Sequence, residues 1–517
     1  MPQAEPSSTG NPARFPPGAP RYGFAVLLLL AAGLRSIGLG KPLYIDEIVT
    51  IRVAAEPLAS MAGVMRQIDA SPALYPVLLH TWMSVSHADA WVRLLSVIFG
   101  VLAVAVVGAI AARAFGWRAG LAATAIMAIA PAHIHYSQYV RSYSLFTLLA
   151  ACHVWLLLAW FGPSAPRWPR RTWIAIVVVS VALCYTHYLS LLLFAAEGLV
   201  VLVLSGGRWR QLIAWGGAIA VAGVLFLPGV PLLAENMKWD RLRNDERPER
   251  PSAVKLVPNL VAELSVGQQI LGFDDPVARR LTLGAAAVVF PTLWLTGLVA
   301  GVRMRWQTTA ALTVLAWLPL AFYLVAGRRL VAVRFFLPFM AGYVAVLALG
   351  WVSLGRALRV LAGVALVMVC SVPLWRYYTE FTWSYDHRRV AEALATRAQP
   401  GDVLLFVHPY EAFFYRWYLG DRLPMRGLVF TALEDQPGYV IKPPLLEFEP
   451  ARARVERAAT EFSRLWLVGQ SRRSFASDPG EQARLLAWMD TRFSALGDLD
   501  AVTGGDPEIR LFAARVP

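Results

Sequence analysis

Residues 91–112 read WVRLLSVIFGVLAVAVVGAIAA, and their single charge, Arg93, stands near one end. At about 1.5 Å of rise per residue, a helix of this length crosses a hydrocarbon core of about 30 Å. It has no polar face to turn toward water, so it belongs in a bilayer. Ten further runs of the same character lie near 22–38, 119–133, 142–161, 172–188, 189–206, 211–229, 281–301, 308–326, 335–353 and 358–374. The expectation is a polytopic α-helical membrane protein of about eleven transmembrane helices. Composition agrees, since 57% hydrophobic and 16% charged residues over 517 positions are too apolar for a soluble domain.

The net charge of +14 is no nucleic-acid signature, because the arginines sit in short stretches between apolar runs. With the N-terminus inside, Arg14 and Arg21, Arg113 and Arg118, Arg167, Arg170 and Arg171, Arg208 and Arg210, Arg303 and Arg305, and Arg356 and Arg359 all fall on one face. That alternation supports both count and orientation, and an inner-membrane location is expected. Residues 1–21, polar and rich in Pro and Gly, are expected to be a cytoplasmic disordered N-terminus, and the first span a retained signal anchor. The transmembrane domain then covers 22–374, with outer regions at 39–90 and 230–280. Within the first, Ser71–Ser86 (SPALYPVLLHTWMSVS) is apolar but short and is expected to lie along the outer interface.

From Trp375 the hydropathy falls and the pattern changes. Helices are expected near 386–397, 409–418 and 480–493, and strands at Val403–Val407, Leu465–Val468 and Ile509–Ala513. Residues 375–517 therefore read as a C-terminal extracytoplasmic α/β domain, periplasmic if eleven spans precede it. Cys152, Cys184 and Cys370 all lie in apolar runs, which offers neither a thiolate in water nor a zinc site.

Four groups of residues carry chemistry. Asp46 and Glu47, in YIDEIVTIRVA, are adjacent on a helix and do not share a face, so separate tasks are expected: a general base, and a group that orients a partner or a metal. Two acids opening a helix also suit its dipole without any catalytic role. Arg328, Arg329 and Arg334, in GRRLVAVRFF, break the charge pattern on the outer side, where guanidinium forks match phosphate oxygens or reach lipid headgroups. Further polar groups gather at outer helix ends: His133, His135, Gln138, Tyr139 and Arg141 in PAHIHYSQYVRSYSL, and His187 and Tyr188 in CYTHYLS. Glu197 lies mid-span, where an ionised side chain costs about 2.5–3.5 kcal/mol, so it needs a partner or a proton. No metal-ligand set is indicated and no cofactor is expected, with a divalent metal left open.

The order of these segments resembles the GT-C superfamily of membrane glycosyltransferases, particularly the bacterial protein mannosyltransferase and aminoarabinose transferase type. The matching stretches are YIDEIVT after the first span, SPALYPVLLHTWMSV, WVRLLSVIFG, PAHIHYSQYVRSYSL, CYTHYLSLLLF and RFFLP, over about residues 22–345. The resemblance implies an inverting enzyme with an external active site that takes sugar from a polyprenyl-phosphate donor and passes it to a lipid, glycan or protein. It implies Asp46 as the base that deprotonates the acceptor, with Glu47 in support. Arg334, Arg328, Arg329 and Arg141 would hold the donor phosphate, and His187, Tyr188, Gln138, Tyr139 and His135 would line the substrate cavity. Relatives often read Gln-Glu-Ala-Arg where this chain has Gln138, Tyr139, Val140 and Arg141, so their second acid is absent here. The competing class is a polytopic transporter or lipid flippase, which favours inverted repeats and intramembrane charges, and only Glu197 leans that way.

Overall fold

The computed structural model describes residues 19–161, 170–245, 253–267, 276–325, 333–379, 386–408, 411–429, 446–469, 479–503 and 508–514. After α1 (Ala19–Ser36), the first outer region folds into three short helices, α2 (Ile45–Ala54), α3 (Leu58–Ile68) and α4 (Leu74–Met83). The chain continues through α5 (Asp89–Phe115), α6 (Trp117–Ile129), α7 (Pro131–Ser137), α8 (Tyr143–Phe161), α9 (Arg170–Cys184), α10 (Ser190–Ser205) and α11 (Trp209–Leu225). The second outer region holds α12 (Val230–Asp245) and α13 (Ala253–Val266), and α14 (Pro276–Val325), α15 (Met340–Ser353) and α16 (Arg356–Thr379) follow.

Helix occupies most of each of the eleven apolar runs, with 281–301 and 308–325 lying in the two halves of α14, which breaks at Arg305 (φ −151°, ψ 70°). Among the described residues α5, α8, α14 and α16 are long and apolar enough to cross a membrane. A fifth span exists if α11 is joined to its continuation beyond a 48° bend, and α6, α10 and Leu337–Ser353 are shorter apolar stretches.

Between apolar helices in lipid, packing and polar contacts hold the bundle, because lipid tails are as apolar as leucine. Both devices are present. A Cβ at Gly297 of α14 would collide with the carbonyl oxygen of Val346, and one at Gly350 of α15 with that of Leu293, so these glycines let the two backbones touch. Deeper between α8, α9 and α10, His153 Nδ1 meets the Glu197 carboxylate at 2.8 and 2.9 Å, and His153 Nε2 lies 2.8 Å from Ser180 Oγ. All three are fully buried, so Glu197 has the partner its position demands.

The C-terminal domain is a five-stranded mixed sheet in the order β2-β1-β3-β5-β4, formed by β1 (Asp402–Phe406), β2 (Met425–Gly427), β3 (Arg464–Val468), β4 (Ser494–Asp498) and β5 (Ile509–Ala513). Strand β1 runs parallel to β2 and β3, and β5 is antiparallel to β3 and β4. Its helices are α17 (His387–Arg397), α18 (Glu411–Leu419), α19 (Phe448–Glu461), α20 (Pro479–Arg492) and α21 (Asp500–Thr503). The six expected elements are all present, and β2, β4, α19 and α21 are additional.

Strand β1 is buried on both sides and lacks polar alternation, which marks a central strand. Val403, Leu405 and Val407 pack under α19 and α20. Leu404 and Phe406 belong to a different core, which contains Phe413, Phe414 and Tyr415 of α18, Ile48, Val49 and Ile51 of α2, and Tyr75 and Leu79 of α4. The domain therefore shares one hydrophobic core with the first outer region. The apolar character of Ser71–Ser86 has this cause: Tyr75 and Leu79 are wholly buried against protein. A polar clamp reinforces the contact, where Asp89 at the start of α5 accepts from Trp417 Nε1 (3.2 Å) and Tyr418 Oη (2.9 Å) and faces Arg388 at 3.5 Å.

Candidate active site

Tyr44 caps α2, and in its first turn Glu47 folds back so that Oε2 accepts the Tyr44 amide at 2.9 Å. Arg93, from the first turns of α5, grips the same carboxylate with Nε on Oε1 (3.0 Å) and Nη2 on Oε2 (2.7 Å). The amide of Val140 adds a further bond to Oε1 at 3.1 Å. The remaining donors of Arg93 go to the carbonyls of Leu39 (2.8 Å), Lys41 and Pro42 (3.0 Å). Each oxygen of Glu47 thus has two donors and every N–H of the guanidinium has an acceptor. Glu47 is an anchor that fixes where α2 begins and holds the turn after α7 against it.

Asp46 is one residue earlier, about 100° around the helix, and its situation differs. It is half-buried, and among the described residues its carboxylate has one hydrogen bond, from Tyr139 Oη to Oδ2 at 3.2 Å. Around it stand Tyr44, Tyr136, Tyr139 and Tyr143, the latter two stacked with centroids 6.2 Å apart. Arg334, in the turn before α15, lies with its guanidinium 5.9 Å from the Tyr143 ring and 5.4 Å from that of Phe335, and its buried Nε has no partner among the described residues. Its basicity is raised by Tyr143 first and then, against the opposing effect of burial, by Asp46, which places the two within electrostatic reach.

The other expected residues divide. His187 stacks on Phe146 (4.9 Å) and meets Phe335 edge-on (6.2 Å), so the α9–α10 turn closes beside Arg334. Tyr188 ties that turn to the first outer region through its bond to the Ala70 carbonyl, 3.1 Å. His135 is buried among Tyr136, Tyr139 and Tyr377. Gln138 is a brace rather than a cavity wall: its amide donates to the carbonyls of Arg35 (2.8 Å) and Ile37 (2.7 Å) and accepts from Tyr377 Oη (2.5 Å). Arg141 donates to Thr50 Oγ1 (3.1 Å) and forms an ion pair with Asp69, so its charge is already matched within the protein. Arg328 and Arg329 lie outside the described residues.

Asp69 and Lys41 are part of the neighbourhood although the sequence pattern does not mark them. Asp69 supplies, from the end of α3, an acid beside Arg141 although residue 139 is a tyrosine. Lys41 projects over the Tyr377 ring at 3.9 Å, and burial, aided by Arg93, draws its ammonium down to about 8. A run of ordinary outer-loop residues gives no periodic signal for either. Among the described residues no three His, Cys, Asp or Glu side chains cluster as metal ligands do. Among the described residues Glu47 is held by Arg93, and Asp69 is paired to Arg141.

The helical bundle thus gathers an acid and an arginine at one set of helix ends, roofed by a small mixed sheet. The chain is similar in structure to ArnT from Cupriavidus metallidurans in the apo state, with a TM-score of 0.65 and 16% identity over 96% of this chain and 98% of that one. The same protein bound to undecaprenyl phosphate gives 0.63 and 16%, over 96% and 97%. The Archaeoglobus fulgidus oligosaccharyltransferase in its apo form gives 0.56 and 11%, over 87% and 69%. No protein-family model matches the chain, and no curated protein matches it in sequence. At these identities the likeness is one of fold.

Proposed function

We propose that the chain is an inverting glycosyltransferase that moves a sugar from a polyprenyl-phosphate donor to a lipid, glycan or protein acceptor at the outer face of a bacterial inner membrane. The observation that carries this reading is the contrast between neighbours: Glu47 is saturated, whereas Asp46 keeps acceptor capacity and lies within electrostatic reach of Arg334. The fold shared with a protein captured with undecaprenyl phosphate supports the class of donor. All eleven helical runs are then spans, and the sheet domain is periplasmic.

In the proposed reaction Asp46 takes the proton of the acceptor's hydroxyl, and the freed oxygen bonds the anomeric carbon from the face opposite the phosphate. The carbon–oxygen bond to the phosphate breaks, its electron pair leaves with the phosphate, and the centre inverts. Arg334 meets the charge that grows on the departing phosphate, where preorganised donors contribute most. The tyrosines around Asp46 offer flat apolar faces to the sugar ring and limit water.

Sugar transfer from a panel of radiolabelled polyprenyl-phosphate sugars to membrane extract, by reconstituted wild type and Asp46→Asn in parallel, tests the reading. Transfer by wild type alone establishes the reaction and its base. Equal turnover in both, or none with any donor, removes it. Orientation has its own test: a cysteine at Gly480, an exposed position, should react with an impermeant maleimide in intact spheroplasts, and reaction only after lysis would place the domain inside.

A further inference from the structure

The break in α14 opens a second polar site, far from Asp46. A cavity of about 220 Å³ lies between Leu158 and Phe161 at the end of α8, Leu204 at the end of α10, and Arg305, Gln307 and Thr308 at the break. Helix α8 leaves the Asp46 region at Tyr143 and ends at Phe161, eighteen residues on, so the two sites are separated by about 27 Å, close to a membrane's apolar thickness. This cavity is therefore at the opposite, arginine-rich face.

Arg305 donates from Nη1 to the Arg113 carbonyl at 3.2 Å, and its other N–H groups have no protein partner among the described residues. A second guanidinium stands at the rim, since Arg208 donates to the carbonyls of Phe161 (2.8 Å) and Leu204 (3.0 Å), both cavity residues. The stretches 113–118, 206–211 and 302–308 that meet here contain no acid. Two cations converge on a half-apolar cleft, and neither has an acidic partner among the described residues. Trp306, which lines it, and Trp209, next in sequence to Arg208, are exposed at 56% and 61%, as aromatic residues are at headgroup depth.

We infer that this cleft binds the phosphate headgroup of an anionic phospholipid from the leaflet opposite Asp46. Arg305, Gln307 and Thr308 hold the phosphate, and the glycerol and first methylenes lie against Leu158, Phe161 and Leu204. A free phosphate would match the polar wall equally, but not the apolar wall or the tryptophans at the bilayer edge.

Native mass spectrometry of the full chain, released from nanodiscs of equal phosphatidylglycerol and phosphatidylcholine, tests the assignment. The expected result is one phosphatidylglycerol retained at collision energies that strip phosphatidylcholine, and a loss of at least fivefold in that adduct for Arg305→Gln but not for Arg303→Gln, an exposed neighbour outside the cavity. Should Arg305→Gln fail to fold, the pair Gln307→Leu and Thr308→Val, which leaves the Arg305 to Arg113 bond intact, should produce the same loss. Equal retention of the two lipids, or equal phosphatidylglycerol retention in wild type and in the folded variants, overturns the proposal. Displacement of the lipid by millimolar inorganic phosphate overturns the choice of a lipid as occupant.

Discussion

Two buried polar networks serve this molecule differently. In the outer one, Arg93 joins Glu47 to the carbonyls of Leu39, Lys41 and Pro42, so a single guanidinium shapes the loop from which Asp46 emerges. In the inner one, His153 links Glu197 to Ser180 and touches no loop at all. His153 and Glu197 satisfy each other's polar atoms within the bundle, which suits the bilayer interior. The outer pair relies on a guanidinium that never gives up its charge. Burial of an acid is thus common to both, and what separates them is whether its partners reach the backbone of the site.

The largest expected effect falls on neither network but on the residue one of them positions. Asp46→Asn should lower transfer by at least about 100-fold, the usual contribution of a general base, with thermal unfolding essentially unchanged. Activity within a few-fold of wild type would show that the Glu47 anchor serves something other than Asp46.

Next comes the anchor itself. Arg93→Leu leaves Glu47 buried without its charge partner and strands three carbonyls, and removing one member of a buried pair costs about 3–5 kcal/mol. Both stability and activity should fall, measured by unfolding in detergent and by transfer. By contrast Glu197→Gln, which keeps polar contact with His153, should cost about 1 kcal/mol and leave transfer near wild type. If Glu197→Gln silences transfer while the protein stays folded, the inner network is functional and the contrast fails.

How much of this was legible in the sequence follows the same division. The helices and most strands announce themselves because hydrophobic periodicity is local, and Asp46, Glu47 and Arg334 stand out by charge against apolar surroundings. The separation of duties between Asp46 and Glu47 was hidden, because it depends on Arg93 and Val140, which lie 46 and 93 positions away. Gln138 and Arg141 look like site residues in one dimension for the same reason: Tyr377 and Asp69, which occupy them, are distant in sequence. The docking of the sheet domain on α2 was equally invisible, since an apolar stretch such as Ser71–Ser86 reads alike whether it meets lipid or Phe413.

The smallest expected effect lies in that sheet domain, whose buried histidines respond to pH where the membrane networks do not reach. Burial pushes His408 down to about 4 from its ordinary 6.5, and pushes the buried His387 lower still. Between those values the unfolded chain binds more protons than the folded one, so stability falls as pH drops. The stabilisation is complete above about 6.5 and diminishes as pH falls toward 4. His387 stacks on Phe414 at 3.6 Å, in the core shared with α2, so loosening there should carry to Asp46. Thermal unfolding of the whole protein should show a modest decline from pH 7 to pH 5, reduced in His408→Gln. An unchanged pH profile in His408→Gln would exclude His408 as the source, and a decline in unfolding temperature without one in transfer would show that the roof can soften while the site it covers keeps its geometry.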